Sequence, residues 1–207
     1  MPTMPAVTAV VLVPVKAFAN AKARLVGVLG DAERERLARW MSARVLAAAG
    51  ELPTYVACDD EEVATWATEH GASILWNPGV GLNAAVNNSV AELRQAGVTD
   101  VVVAHGDLPR AQSLASLIEP GTLTLVPDRR DDGTNVIAVP TDMPFQFSYG
   151  PGSFQRHLGT AIADGLSVRV RRDALLALDI DTPSDLAHPL VQEVLPSWLQ
   201  SNQVNQR

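Results

Sequence analysis

Apolar positions along the chain follow two periods, and the two alternate. Val7–Val15 is a run of apolar residues, the pattern of a strand buried on both faces. Leu37, Met41, Val45 and Ala48 then recur at helical spacing. Asp31 offers a cap, Glu33 and Glu35 suit the positive end of the helix dipole, and Gly50 supplies a stop. TYVAC (Thr54–Cys58) reads as a strand. Asp59 or Asp60 caps a helix that carries Val63, Trp66 and Ala67 and ends at Gly71. SILW (Ser73–Trp76) is a further strand, and Leu82, Val86, Val90 and Leu93 form the stripe of a helix closed by Gly97. DVVVA (Asp100–Ala104) returns to strand and runs into HGDLPR.

Beyond this point the pattern is richer in β. TLTLVPD (Thr122–Asp128) and NVIAVP (Asn135–Pro140) flank a charged loop, and Pro144–Gly152 is irregular. Phe154–Ala163 is helical, SVRVRR (Ser167–Arg172) a strand, and ALDIDTPSDL leads into a short helix. The order βαβαβαβ with appended elements predicts a three-layer α/β fold with a mainly parallel mixed sheet. One domain is expected over residues 1–188, with a partly frayed tail over 189–207 that ends in SNQVNQR.

Composition narrows the function. The chain has 207 residues, is 47% hydrophobic and carries a formal charge of −7, which argues for a folded domain and against nucleic-acid binding. A lone cysteine, Cys58, permits no internal disulfide and fits a reducing compartment. No apolar stretch reaches the ~20 residues of a membrane helix. The N-terminal run lacks a basic flank and reads as core rather than signal peptide. A soluble, cytoplasmic protein is expected.

In parallel sheets, ligands sit outside the carboxyl ends of the strands, and the polar clusters of this sequence fall there. Lys16, Lys22 and Arg24 follow the first strand on a loop of small residues. They suit a triphosphate; an exposed basic loop is the competing reading, and no Walker motif is present. Asp107 follows DVVVA and suits a hard divalent cation, against the simpler role of a helix cap. Asp179 and Asp181 share one side of an extended segment with Ile180 turned inward. Two such carboxylates repel unless a cation lies between them. Asp185 reads as a helix-start residue. DDGTN with YGPGS offers Thr134, Gly150 and Ser153, with Ser153 capping a helix whose N–H groups would form an anion pocket; ordinary turn chemistry competes. NPGVGLNAA could frame a purine base with Asn83 as a hydrogen-bonding group, although a turn and cap is the simpler reading. The four histidines have no metal-ligand spacing and read as surface or supporting residues, with His105 placed to tune the Asp107 loop.

Taken together, VPVKAFANAKARL, HGDLP, DDGTN, YGPGSF and ALDIDTPSDL resemble the phosphoenolpyruvate / 2-phospho-L-lactate guanylyltransferases of coenzyme F420 biosynthesis. The resemblance runs from about Val11 to Leu186 and departs at Ala23, where relatives often carry serine. It implies a nucleotide-diphospho-sugar-transferase-like (GT-A-like) fold. It also implies GTP phosphates near Lys16, Lys22 and Arg24, Mg²⁺ on Asp107, Asp179 and Asp181, and an acceptor at Thr134, Gly150 and Ser153. The alanine- and arginine-rich composition favours the bacterial acceptor, phosphoenolpyruvate. A downstream transferase would take up the labile product, and a homodimer is left open. A molybdenum-cofactor nucleotidyltransferase lacks support because its glycine-rich first loop is missing. A GT-A glycosyltransferase places its DxD nearer mid-chain, and a nucleotide-binding regulator has no need of three metal-competent carboxylates.

Overall fold

The first apolar run forms strand β1, Ala9–Pro14, in a computed structural model that describes residues 8–204; Val7 and the N-terminal leader before it lie outside them. The remaining strands are β2 (Thr54–Cys58), β3 (Ser73–Trp76), β4 (Asp100–Ala104), β5 (Leu123–Pro127), β6 (Thr134–Pro140) and β7 (Val168–Val170). They form one sheet in the order β3-β2-β1-β4-β6-β5-β7. β1, β2, β3 and β4 pair in parallel, β6 runs antiparallel to both β4 and β5, and β7 is parallel to β5. The mixed, mainly parallel sheet is the one the sequence pattern implies.

The helices are α1 (Asp31–Ala47), α2 (Glu61–Glu69), α3 (Gly81–Gln95), α4 (Ser153–Ala163), α5 (Pro183–Leu186), α6 (Pro189–Gln192) and α7 (Ser197–Val204). The period of two along β1 sorts its side chains between the faces of the sheet. Val11 and Val13 pack with Val45 of α1 and Trp66 of α2. Val10 and Leu12 pack with Val86 of α3 and Phe154 of α4. This gives three layers. Asp60 caps α2 as expected, its Oδ1 accepting from the Val63 N–H at 3.0 Å. Asp31 does not cap α1. It lies inside the helix after Gly30, and Glu33 reaches back to accept the Gly30 N–H at 2.9 Å. Glutamate is long enough for that return contact.

The first part of the tail is packed. Val191, Leu195 and Leu199 are buried in a third cluster with Leu25, Leu37, Met41, Ile180 and Leu186. Helix α1 contributes Leu37 and Met41 as a second apolar face, and Val191 of α6 and Leu199 of α7 pack in the same cluster. Burial of each large side chain is worth ~1.5–3 kcal/mol, which ties residues 191–199 to the domain. Residues 205–207 of the polar end lie outside the described residues.

From β1 the chain steps outward to β2 and β3, then returns to place β4 on the opposite side of β1. The crevice at the carboxyl ends of β1 and β4 is therefore the topological switch point, where open α/β sheets bind ligands. No helix among the described residues is long and apolar enough to cross a membrane.

Candidate active site

A cleft of about 580 Å³ opens at that switch point, within the range of small-ligand sites. Its reactive end is lined by Lys16, Lys22, His105, Asp107 and Asp181. The loop after β1 folds into two short 3₁₀ turns, Phe18–Asn20 and Ala23–Leu25. Phe18 is sealed in the core, edge-on to Trp66 at 5.1 Å, and Leu25 is buried in the third cluster. Between these two anchors Lys22 adopts a left-handed backbone, φ +55°. That conformation costs a lysine ~1–2 kcal/mol. Two charge-assisted hydrogen bonds offset it: the Lys22 ammonium donates to Asp107 Oδ2 at 2.7 Å and to Asp181 Oδ1 at 2.8 Å.

Asp181 reaches this point through a chain of backbone contacts. The Ile180 N–H donates to the Asp107 carbonyl at 3.2 Å, and Ile180 itself is fully buried. Asp185, also buried, accepts from the Asp181 N–H, the Thr182 N–H and the Thr182 hydroxyl, and pairs with Arg129 and Arg130. Burial opposes ionisation of Asp185, but Arg129 and Thr182 outweigh it and hold its carboxyl at about 2. Further back, Asn135 Nδ2 donates to the Leu176 carbonyl at 3.0 Å, fixing the approach to the DxD segment. On the other side, Gly106 lies so close to α1 that an added Cβ would meet Ser42 Oγ at 2.9 Å. The HGDLP turn needs glycine there for close approach.

The electrostatics follow from this convergence. Burial disfavours the Lys22 ammonium, but Asp107 and Asp181 outweigh burial and raise its pKa. Asp107 is held low because Lys22 outweighs its own burial. Asp179 has no such partner. Burial, then Asp107 and Asp181, push its carboxyl up to about 6. Burial lowers the neighbouring His105 imidazole. Asp107 Oδ1, Asp179 Oδ1 and His105 Nε2 are buried without a hydrogen-bond partner among the described residues.

The three aspartates do not form a closed metal cage. Among the described residues no group of three or more His, Cys, Asp or Glu is arranged to hold an ion. Lys22 takes the place between Asp107 and Asp181 where the sequence suggested a divalent cation. The donor set nevertheless fits Mg²⁺ held jointly by carboxylates and ligand phosphates. The oxygens are hard, and Asp107 Oδ1 and Asp179 Oδ1 are unpartnered among the described residues, although Asp179 is not one of the residues that line the cleft.

The other expected site residues divide. Lys16 is exposed at the cleft wall. Arg24 is 75% exposed and stands 4.0 Å from Asp181. Asn83 does not line the cleft. Its Oδ1 accepts from the Tyr149 N–H at 2.7 Å and its Nδ2 donates to the Tyr149 carbonyl at 3.1 Å, so it straps the 147–149 loop to α3. Thr134 and Ser153 do meet, but in a sealed corner. Ser153 Oγ accepts from the Thr134 N–H at 3.1 Å, and Thr134 Oγ1 lies 3.0 Å from His157 Nδ1. Ser153 does not cap α4; Gly152, φ +69°, does. The expected anion pocket at that helix end is already filled, because Asp132 Oδ1 takes the Gly152 N–H at 3.1 Å and Asp132 O takes the Phe154 N–H at 3.0 Å. Gly150, φ +126°, is exposed beside this corner.

His157, expected near the surface, is buried. Its Nε2 accepts the Ser148 N–H at 2.9 Å, so Nδ1 carries the proton, and burial, then Arg156 and His105, lower its pKa to about 4. Tyr149 lies edge-on to His105 at 4.7 Å and links this corner to the cleft floor. Sequence reasoning missed the clasp of Asp185 with Arg129 and Arg130. A buried-strand exit followed by TPSD carries that signal only once the partner loop is known.

The family profile described as "Guanylyl transferase CofC like" matches residues 9–193. The chain belongs to this family. Its CofC-like relatives include the phosphoenolpyruvate guanylyltransferase of Sphaerobacter thermophilus, 34% identical over 86% of this chain and 91% of the relative. The phosphoenolpyruvate guanylyltransferase of Rubrobacter xylanophilus is 35% identical over 85% of this chain and 90% of the relative. The 3-phospho-D-glycerate guanylyltransferase of Phenylobacterium zucineum is also 35% identical, over 84% and 86%. Among solved structures, one assigned as a nucleotide-diphospho-sugar transferase from Desulfovibrio desulfuricans G20 superposes with a TM-score of 0.74 at 16% identity, covering 96% of this chain and 94% of the other. A CMP:2-keto-3-deoxy-manno-octonic acid synthetase with CTP gives 0.59 at 15%, covering 91% and 100%. At these identities the superpositions establish the fold, which is of the nucleotide-diphospho-sugar-transferase type.

Proposed function

We propose that this CofC-like guanylyl transferase moves GMP from GTP to the phosphate of phosphoenolpyruvate. The products are enolpyruvoyl-2-diphospho-5'-guanosine and pyrophosphate, at a step of coenzyme F420 biosynthesis. The observation that carries the reading is the meeting of Lys22 with Asp107 and Asp181 at the switch-point cleft of a chain in this family. An acceptor phosphate oxygen attacks the α-phosphorus of GTP. The bond from that phosphorus to the bridging oxygen breaks, and pyrophosphate leaves with the electron pair. The second phosphate pKa is about 6, so the nucleophile is already anionic at neutral pH and no general base is required.

The chain's work is therefore positioning and charge. Lys22 fixes the two carboxylates at one point. Lys16, exposed at the wall, is free to meet the triphosphate, and Arg24 approaches from the rim. Asp107, Asp179 and Asp181 would hold Mg²⁺, which would supply neutralisation of the charge that two polyanions bring together. The acceptor lies against the wall that Thr134, Gly150 and Ser153 build. The buried hydroxyls hold that wall, and the exposed Gly150 offers an N–H that has no partner among the described residues. The next enzyme of the pathway takes up the labile product in a reducing, cytoplasmic setting.

3-Phosphoglycerate is the second candidate acceptor, because one relative at 35% identity carries that name. The test incubates the protein with GTP, Mg²⁺ and each of phosphoenolpyruvate, 2-phospho-L-lactate and 3-phosphoglycerate, reading pyrophosphate. Release with phosphoenolpyruvate above the other two is expected. Release with none of them rejects the reading.

A further inference from the structure

The cleft extends past the reactive end toward the carboxyl end of β2. There it is walled by Ala57, Leu82 and Ala85, and three polar side chains line it: Cys58, Asp59 and Asn77. Asn77 has both amide hydrogens engaged, donating to the Leu75 carbonyl at 3.1 Å and to Ser89 Oγ at 3.0 Å. Cys58 is 4% exposed, and burial raises its thiol further from ionisation. Asp59 differs from both. It is exposed, its Oδ2 accepts the Gly79 N–H at 3.3 Å, and Oδ1 has no partner among the described residues. The Gly79 contact fixes the carboxylate against the turn that opens α3, where Gly79 and Gly81 both take positive φ and leave the backbone bare. Asp60, not Asp59, caps the adjacent helix, so Asp59 is not needed for that end of the fold.

Resting on the proposed function, we infer that Asp59 reads the base: its carboxylate accepts from the N1–H and N2–H₂ edge of guanine. The reasoning is complementarity. With the triphosphate at Lys16 and Lys22, the nucleoside extends away from Asp107 and Asp181 toward β2. Guanine presents two adjacent donors there, which match a carboxylate. Adenine presents an N1 lone pair, which a carboxylate repels. A small apolar wall with one fixed acceptor selects by leaving the wrong base's polar atoms unpaired.

The test measures nucleotide binding by calorimetry without acceptor, so it does not depend on which acid is used. GTP, inosine triphosphate, xanthosine triphosphate and ATP are titrated into the wild type and into Asp59→Asn. The asparagine retains an oxygen for the Gly79 N–H and gains an amide donor that matches the xanthine O2. Wild type should prefer GTP over inosine triphosphate by about tenfold, since one charge-assisted hydrogen bond is lost. Asp59→Asn should weaken GTP by about tenfold or more and strengthen xanthosine triphosphate relative to wild type. Unchanged GTP affinity, or no gain for xanthosine triphosphate, overturns the assignment of Asp59 while leaving guanylyl transfer intact. A wild type that binds no nucleotide at all overturns the functional reading beneath it, and this inference with it.

Discussion

At the ends of β1 and β4, Lys22, Asp107 and Asp181 meet on an open cleft, whereas at the start of β6, Thr134, Ser153 and His157 meet in a corner closed to solvent. Both regions gather polar side chains from distant segments at a sheet end. In the open region, charge is compressed and incompletely matched. Lys22 is held in a left-handed conformation, burial and the neighbouring aspartates push the Asp179 carboxyl up to about 6, and buried carboxylate oxygens lack partners among the described residues. In the closed region the side chains satisfy one another, from Ser148 through His157 and Thr134 to Ser153. Unpaired polar atoms beside a cleft leave hydrogen-bonding capacity that the fold itself does not use. Paired ones in a sealed corner hold the shape of the wall.

The strongest test of this contrast is removal of the open cluster. Asp107→Ala or Lys22→Met should lower pyrophosphate release by ~10²–10³-fold while circular dichroism stays native. Loss of less than tenfold in both would erase the distinction between the two regions.

The closed corner should respond in stability instead. Ser153→Ala leaves the buried Thr134 N–H unpaired, so ~1–3 kcal/mol of unfolding free energy should disappear in a urea titration, with kcat near wild type and a raised acceptor KM.

A pH series sharpens the comparison further. The folded imidazole of His157 sits near 4, below the value of about 6.5 for an unfolded histidine. Its stabilisation is complete above about pH 6.5 and is lost as pH falls toward 4, at up to ~1.4 kcal/mol per unit. Asp179 works oppositely, because a carboxyl raised to about 6 binds a proton in the fold before the unfolded chain does. The His157 contribution is therefore read as a difference: the gap in melting temperature between wild type and His157→Leu should narrow from pH 7 to pH 4.5. A constant gap would mean that the imidazole is not kept neutral by the corner.

The smallest effect is expected at Arg24. It is 75% exposed and 4.0 Å from Asp181. Exposed pairs contribute ~0–1 kcal/mol, so Arg24→Ala should change kcat/KM for GTP by about fivefold or less. A hundredfold loss would place Arg24 inside the reacting cluster with Lys22.

The polar motifs VPVKAFANAKARL, HGDLP and LDIDTPSD were legible as a cleft lining because they stand directly after buried apolar runs, where side chains emerge at a sheet end. DDGTN and YGPGS carry the same composition of Asp, Gly, Thr and Ser. Their use inside the fold was not legible, since a hydroxyl offered to a ligand and one bonded to a neighbouring loop look alike in a sequence. Asn83 shows the same ambiguity: an amide suited to a base is suited equally to the backbone of Tyr149. The C-terminal helices were missed because Leu190, Val191, Leu195 and Leu199 are too sparsely spaced to announce two short helices until the second apolar face of α1 is there to receive them.

The sequence by itself determined the sheet, its mainly parallel order and the end at which the cleft opens, because strand and helix periods are local and the handed βαβ connection leaves few alternatives. Only the tertiary structure decided which polar residues face the cleft. Lys22 meets Asp107 across 85 positions and Asp181 across 159, and Ser153 turns away from the cleft to Thr134. Burial and hydrogen-bond satisfaction are properties of neighbours in space, which residues so far apart in the chain acquire only when the sheet brings them together.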